Sequence, residues 1–338
     1  MPAIHQFIER DSGRIRTEPL FADRLVRMLY HPIRENAELL FRALTGPRAS
    51  KALAWLNYDV ALGSRVLGNR QFLKECGIDF AECLDPPERL DTARKVFERK
   101  IRYWTCRPMP EEPNAVVSPA DARVLVGSFA ETSALFIKEK FFSFEEMLGP
   151  DRPVWKQAFA GGDFAVFRLT PDKYHYNHVP VSGEVVDFYV IDGSYNACNP
   201  TAVVAMTIPY SKNRRVVTII NTNVPGGSGV GLVAMIEVVA LMIGEVVQCY
   251  SETGYENPLS LKPGLFLRRG QPKSLYRPGS STDVLIFQPG RIEFDRPILE
   301  NLRRRDVRSR FTDGFSHPLV ETDLRVRSLL GLPIQGFE

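Results

Sequence analysis

The sequence predicts an α+β protein: an N-terminal helical region, a β-rich, sandwich- or barrel-like body, and a partly helical C-terminal tail. Three observations predict it. Apolar residues recur at helical spacing before residue 110. After it, short β-branched and apolar runs are separated by Gly, Pro, Asn or Asp. The two kinds of segment do not alternate, which disfavours a βαβ architecture. The composition shifts around Arg107-Pro108-Met109-Pro110, dividing the chain into a helical, membrane-associating region 1–110 and a β-rich domain 111–338.

Thr17-Glu18-Pro19 reads as a helix start, with a capping hydroxyl and a first-turn proline. Phe21, Leu25, Met28 and Leu29 then fall at helical spacing, and Leu39, Leu40, Phe41 and Leu44 follow after Pro32. Arg24, Arg27, Arg34 and Arg42 punctuate both segments. That pattern suits amphipathic helices packed on a core, and it also suits an anionic lipid surface. Helical signals continue over 49–74 and 87–101. Strands are predicted at 122–126, 164–169, 183–191, 202–208, 216–221, 231–239 and 284–287. The tail 297–331 reads as partly helical, broken near Gly314 and Pro318, with a solvated arginine run at Arg303-Arg304-Arg305.

With 338 residues and 44% hydrophobic content, the chain has enough apolar surface for a large core. A net charge of +3 and the lack of zinc-finger spacing or an aromatic-basic signature argue against a nucleic-acid partner. Five scattered cysteines suit a reducing compartment better than a disulfide framework. The N-terminus lacks signal-peptide regions, and no stretch reaches the roughly 18 apolar residues of a spanning helix. The glycine-rich run 226–231 has no clear helix after it, so it reads as a flexible loop rather than a phosphate cradle.

The stretch of greatest chemical interest is Tyr276-Arg277-Pro278-Gly279-Ser280-Ser281, which leads into the apolar run Val284-Leu285-Ile286-Phe287. Gly279 lacks a Cβ, so Ser280 Oγ can approach its carbonyl if a base takes the hydroxyl proton. The peptide bond becomes an ester. Elimination leaves a dehydroalanine, whose hydrolysis releases ammonia and leaves a pyruvoyl group. Two of the five histidines, His175 and His178, lie in Tyr174-His175-Tyr176-Asn177-His178-Val179-Pro180 and are natural bases. Zinc ligation would need further ligands and a helical turn that Pro171 and Pro180 disfavour, so no metal is expected. Asp121, in Ser118-Pro119-Ala120-Asp121, is a carboxylate just before a predicted strand.

These residues carry a resemblance to the phosphatidylserine decarboxylase proenzymes. Phe97-Glu98-Arg99-Lys100 resembles that family's Phe-Thr-Arg-Lys, and Ser118-Pro119-Ala120-Asp121 its Ser-Pro-Ala-Asp-Gly, with Ala122 in place of the glycine. Ile137-Lys138, Ser143 and Leu148-Gly149 resemble a family loop. Leu169-Thr170-Pro171, Tyr174-His175 and His178-Val179-Pro180 are similar to the histidine motif, and Gly270, Tyr276 and Gly279-Ser280 to the cleavage motif. The chain departs at Asn213-Arg214-Arg215 and Val239-Ala240-Leu241.

The resemblance implies a self-processing decarboxylase that turns phosphatidylserine into phosphatidylethanolamine through a Schiff base on a pyruvoyl group made from Ser280. Asp121 would orient His178, His178 would deprotonate Ser280, cleavage would fall between Gly279 and Ser280, and His175 would serve the decarboxylation. Counting from Gly270 selects Ser280, whereas counting back from Phe287 selects Ser281; the glycine neighbour favours Ser280. The implied protein is a homodimer of two-chain protomers, cytoplasmic and peripheral on the inner membrane surface. A soluble free-amino-acid decarboxylase and a non-cleaving lipid- or partner-binding homologue are the alternatives.

Overall fold

The computed structural model describes residues 4–18, 77–130, 143–197, 200–205, 209–240, 245–279, 281–315 and 317–334, with isolated positions between 46 and 58. The helices expected over 19–44 and Ser280 itself lie outside these residues, and the helix expected over 49–74 touches only isolated ones.

In chain order the first strands are β1 (Gln6–Glu9), β2 (Ile15–Thr17), β3 (Val116–Val117), β4 (Ala122–Ser128), β5 (Asp163–Leu169), β6 (Tyr176–His178), β7 (Gly183–Ile191) and β8 (Arg215–Asn221). There follow β9 (Leu232–Val238), β10 (Val246–Gln248), β11 (Phe266–Leu267), β12 (Pro272–Tyr276), β13 (Ser281–Phe287), β14 (Ile292–Phe294), β15 (Thr322–Leu324) and β16 (Leu329–Pro333). Ten of them form one sheet in the order β11-β7-β8-β9-β13-β5-β4-β15-β1-β2. All its pairs are antiparallel except β1 with β15. The orders β10-β12-β6 and β14-β16-β3 make two three-stranded sheets.

The α+β class holds, but the large sheet is open, with β11 and β2 at its edges, rather than a barrel. Its central strands explain the architecture. They read as nearly continuous apolar runs, and successive residues point to opposite faces, so both faces must be covered. In β5, Ala165, Phe167 and Leu169 join one buried cluster while Phe164 and Val166 join another. In β13, Leu285 and Phe287 face the first cluster and Val284 and Ile286 the second. Short helices contribute Phe144, Met147, Phe159, Val203, Phe311 and Phe315 to the second cluster. The first cluster's face is where β6 and β12 contribute Tyr276 and the neighbouring Val179 and Val181.

Several expectations change or are refined. Residues 4–18 are not helical: β1 and β2 form a hairpin on the sheet edge, with Phe7 and Ile8 buried. A four-residue strand is too short for its periodicity to register. The strand expected over 202–208 is a helix, Pro200–Ala205, opened by a proline whose fixed φ suits a first helical position. In the tail, helices Arg296–Leu302 and Arg310–Phe315 are followed by β15 and β16. Of the predicted 87–101, a 3-10 helix takes Pro87–Arg89 and an α-helix Ala93–Phe97, where Thr92 Oγ1 accepts the Lys95 amide at 3.2 Å. The 226–231 run is a tied-down connection, its Ser228 buried and accepting the Ser182 amide at 2.9 Å.

Candidate active site

Backbone pairing brings together the segments that the sequence holds far apart. The His178 amide donates to Pro119 O at 2.7 Å and the Val117 amide to Pro180 O at 3.0 Å, so Ser118–Asp121 runs beside His178–Pro180. β6 pairs antiparallel with β12, Tyr176 opposite Leu275. Beyond that pair, the Tyr276 amide donates to His175 O at 3.1 Å. The segment leading to Gly279 thus starts from His175.

Asp121 is buried and ionised. Burial alone would raise its pKa; the Arg107 guanidinium outweighs that and holds it at about 2. Arg107 grips both carboxylate oxygens, Nε to Oδ1 at 2.9 Å and an Nη to Oδ2 at 2.8 Å, and the Val326 amide adds a 2.8 Å bond to Oδ1. Arg107's part is invisible to motif reading, since an arginine 14 residues upstream in a proline-rich stretch has no spacing signature.

His178 is buried, and its Nδ1 lies 2.8 Å from Gly270 O. A carbonyl only accepts, so Nδ1 carries the ring proton and Nε2 the lone pair. Tyr174 Oη lies 3.0 Å from Nε2 and donates to it; Tyr255 Oη is 2.7 Å from Tyr174 Oη and within 2.9 Å of Ile101 O. The orienting acceptor on Nδ1 is therefore the Gly270 carbonyl, not Asp121. Gly270 has φ +78°, and a Cβ there would lie 2.2 Å from Met109 Sδ, so only glycine presents the carbonyl this way. Burial is the main reason the His178 pKa falls to about 3, which leaves the imidazole neutral at physiological pH.

His175 is also buried, and burial takes its pKa well below the usual histidine range. Its ring stacks on Phe97, centroids 3.5 Å apart and planes inclined by 25°. This explains the phenylalanine of the Phe97–Lys100 motif. Neither ring nitrogen makes a hydrogen bond of good geometry among the described residues, although the Lys173 backbone lies close enough to offset part of the fall in pKa.

Gly279 has φ +153°, a conformation that a side chain would strain. Ser281 opens β13 opposite Leu169, buried, and its Oγ has no partner among the described residues. An extended glycine-only junction, next to a strand tied to His175, fits a pyruvoyl group formed at residue 280.

Of the departing segments, Asn213 and Arg215 serve the scaffold. Asn213 Nδ2 donates to Asn196 O and Val239 O, and Arg215 donates to the carbonyls of Met147, Ser211, Asn213 and Glu146. A further polar group lies on the same side of the sheet: Glu237, Lys273, Ser274, Asn177 and Asp283, all fully buried. Its sequence signal is a charge inside an apolar strand run, as in Met235-Ile236-Glu237-Val238 and Thr282-Asp283-Val284-Leu285. Among the described residues the one trio with metal-ligand spacing is His5, Glu18 and Glu321, and Arg168 donates to both carboxylates there.

The family model described as phosphatidylserine decarboxylase matches residues 93–309. The chain is 27% identical over 302 residues to a phosphatidylserine decarboxylase proenzyme of Fusobacterium nucleatum, covering 89% of this chain and 93% of that one. It is 27% identical over 337 residues to the Chlamydia trachomatis proenzyme, covering 96% of each. It is 28% identical over 307 residues to proenzyme 3 of Schizosaccharomyces pombe, covering 88% of this chain and 29% of that one. With the family model spanning both histidines, Asp121 and the Gly279-Ser280 junction, the chain belongs to the phosphatidylserine decarboxylase family.

Proposed function

We propose that this chain is a self-processing, pyruvoyl-dependent carboxy-lyase that converts phosphatidylserine to phosphatidylethanolamine. The observation that carries the proposal is the convergence of neutral His178, ionised Asp121 and His175 beside β12, whose last residue, Tyr276, lies three residues before Gly279.

His178 Nε2 holds the lone pair that takes the Ser280 hydroxyl proton, so Tyr174 must give up its hydrogen bond as the serine engages. Protonation makes a buried imidazolium. Asp121 acts on it through space, its charge kept in place by Arg107 and the Val326 amide. The scissile bond is Gly279–Ser280 rather than Ser280–Ser281, because Ser281 already sits in the ladder opposite Leu169 while Gly279 lies outside it, at a φ of +153° that suits glycine. A pyruvoyl group at residue 280 would supply a ketone able to hold the substrate amine and an electron sink for the loss of carbon dioxide. His175, neutral at rest, is placed to take the proton that the substrate ammonium sheds and to return it to the carbon, from a ring that Phe97 fixes.

The protein acts at the cytoplasmic face of the inner membrane as a peripheral homodimer. No described helix is long and apolar enough to cross a membrane. The arginine-flanked apolar segment around 21–44 supplies the lipid contact; it lies outside the described residues.

Intact mass of the purified protein tests self-processing: two chains divided at Gly279/Ser280, the second capped by pyruvoyl, are expected, and Ser280→Ala should leave one chain. Vesicles containing phosphatidylserine should then release carbon dioxide. Release from free amino acids alone would overturn the lipid assignment, and a single uncut wild-type chain would overturn the whole proposal.

A further inference from the structure

The six residues that contain the scissile junction are bracketed by one side-chain contact. Tyr276 Oη, at the end of β12, lies 3.0 Å from the main-chain oxygen of Thr282 and 2.7 Å from Asp283 Oδ1, at the start of β13. Both atoms ordinarily accept, and a phenol has one proton to give. An ionised Asp283 would take that proton at the shorter distance and leave Thr282 O without it; both contacts are hydrogen bonds only if Asp283 carries a proton of its own, donates to Oη and frees the phenol for Thr282 O.

The surroundings agree. On β9, Glu237 stands opposite Asp283 in register. Glu237 accepts from Lys273 and Gln248 on Oε2, both within 2.8 Å, and from Ser274 and Asn177 on Oε1. Asp283 has Tyr276 on Oδ1, and Oδ2 has no partner among the described residues. One lysine cannot neutralise two buried carboxylates, and the ammonium lies 2.7 Å from Glu237. The proton therefore belongs on Asp283. Burial first, and the Glu237 charge second, push its pKa well above the carboxylate range. Two groups act against that shift and are outweighed: the Tyr276 hydroxyl, and Lys273, which is the partner of Glu237.

We infer that Tyr276 and Asp283 are positioning residues for self-cleavage: Asp283 donates to Tyr276 Oη, Tyr276 donates to Thr282 O, and the pair straps together the two ends of the 277–282 segment. The strap rests on the function proposed above. Tyr276 is also pinned by its amide to His175 O. It therefore fixes the distance between His175 and the first strand residues after the junction. After cleavage the same contact joins the two chains and holds the new N-terminus near His175. The strap works only while Asp283 keeps its proton; once ionised, Asp283 faces Glu237 as a second carboxylate.

The test is the rate at which the freshly made full-length chain becomes two chains, read by intact mass from neutral to alkaline pH. Wild type should slow as pH rises and Asp283 ionises. Tyr276→Phe and Asp283→Leu should slow processing on the order of ten-fold at neutral pH, the loss of one buried hydrogen bond with a group left unsatisfied. Asp283→Asn, whose amide donates in place of the acid, should process near the wild-type rate and show no alkaline decline. Wild-type speed in Tyr276→Phe, or an Asp283→Asn variant that retains the alkaline decline, would overturn the strap. If Tyr276→Phe does not fold, the Asp283→Asn profile decides alone. An uncut wild-type chain would instead remove the proposed function, so the two failures are distinguishable.

Discussion

Two buried polar clusters sit one residue apart on neighbouring strands and face opposite sides of the same sheet. Thr282 pairs with Arg168, and Asp283 with Phe167. Arg168 points to the face of Phe164 and Val166, and Asp283 to the face of Leu285 and Phe287. Around Arg168, the carboxylates of Glu18 and Glu321 meet two guanidiniums, Arg168 and Arg123. Around Asp283, two carboxylates share one lysine. The same residue types therefore give different devices. Matched charge rivets the N-terminal hairpin to the sheet; a missing cation leaves a carboxylic acid that carries a proton.

The largest effect should come from unbalancing the matched cluster. Arg168→Met leaves Glu18 and Glu321 buried with one guanidinium between them, and breaking a buried pair on one side costs about 3–5 kcal/mol. The variant should melt well below wild type, and an unchanged melting temperature would show that the hairpin does not depend on the rivet. Arg107→Leu subjects Asp121 to the same penalty, and it should slow processing as well as lower stability. A variant that loses stability but processes normally would separate Asp121 from the chemistry.

Opposite pH responses sharpen the comparison next. Burial would raise Glu18, but Arg168 and Arg123 outweigh it and hold its pKa at about 2; Glu321 is lowered in the same way by Arg168 and His5. Their stabilisation is present above the unfolded glutamate pKa near 4.3 and is lost as pH falls toward 2. Asp283 runs the other way. Its folded pKa is raised, so its contribution is full below about pH 4 and declines as pH rises toward the folded value, by about 1.4 kcal/mol per unit. Chemical denaturation across pH should therefore give Asp283→Asn a shallower alkaline slope than wild type and leave the acid limb alone. Glu18→Gln should flatten the acid limb alone. A single variant that changes both limbs would mean the clusters are coupled through the β5–β13 ladder.

What the sequence revealed follows the same division. The histidine motif, Asp121 and Gly279-Ser280 could be singled out as candidates because their residue types are tied to chemistry, and β4, β5, β7, β8 and β9 were legible because long apolar runs bounded by turn residues register as strands. The β1–β2 hairpin was not legible: its strands are short, and what holds it is a charge cluster whose members lie up to 316 residues apart. Arg107 and Tyr255 were missed as site residues, and Gly270 was noted only as a landmark of the cleavage motif, for a related reason: each acts on Asp121 or His178 through a contact between distant segments. Glu237 and Asp283 did carry a signal, each a charge inside a strand buried on both faces. Apolar patterning discards such a residue as noise, although burying a charge is the costlier choice.

The smallest effect concerns the base itself. Tyr174→Phe removes the hydroxyl that occupies His178 Nε2 but leaves the ring, which packs in the cluster of Tyr103 and Tyr176. The lost hydrogen bond is worth about 1 kcal/mol of stability. Its effect on processing separates two roles. If Tyr174 only occupies the lone pair until Ser280 engages, the variant should process at least as fast as wild type, because nothing has to be displaced. If the Tyr174–Tyr255 pair carries the proton away from Nε2, the variant should be slower, and Tyr255→Phe should be slowed to match. The structure favours the first outcome: Tyr255 Oη reaches Ile101 O and accepts the Ile101 amide, so the chain of hydroxyls ends in backbone rather than in a group able to hold a proton.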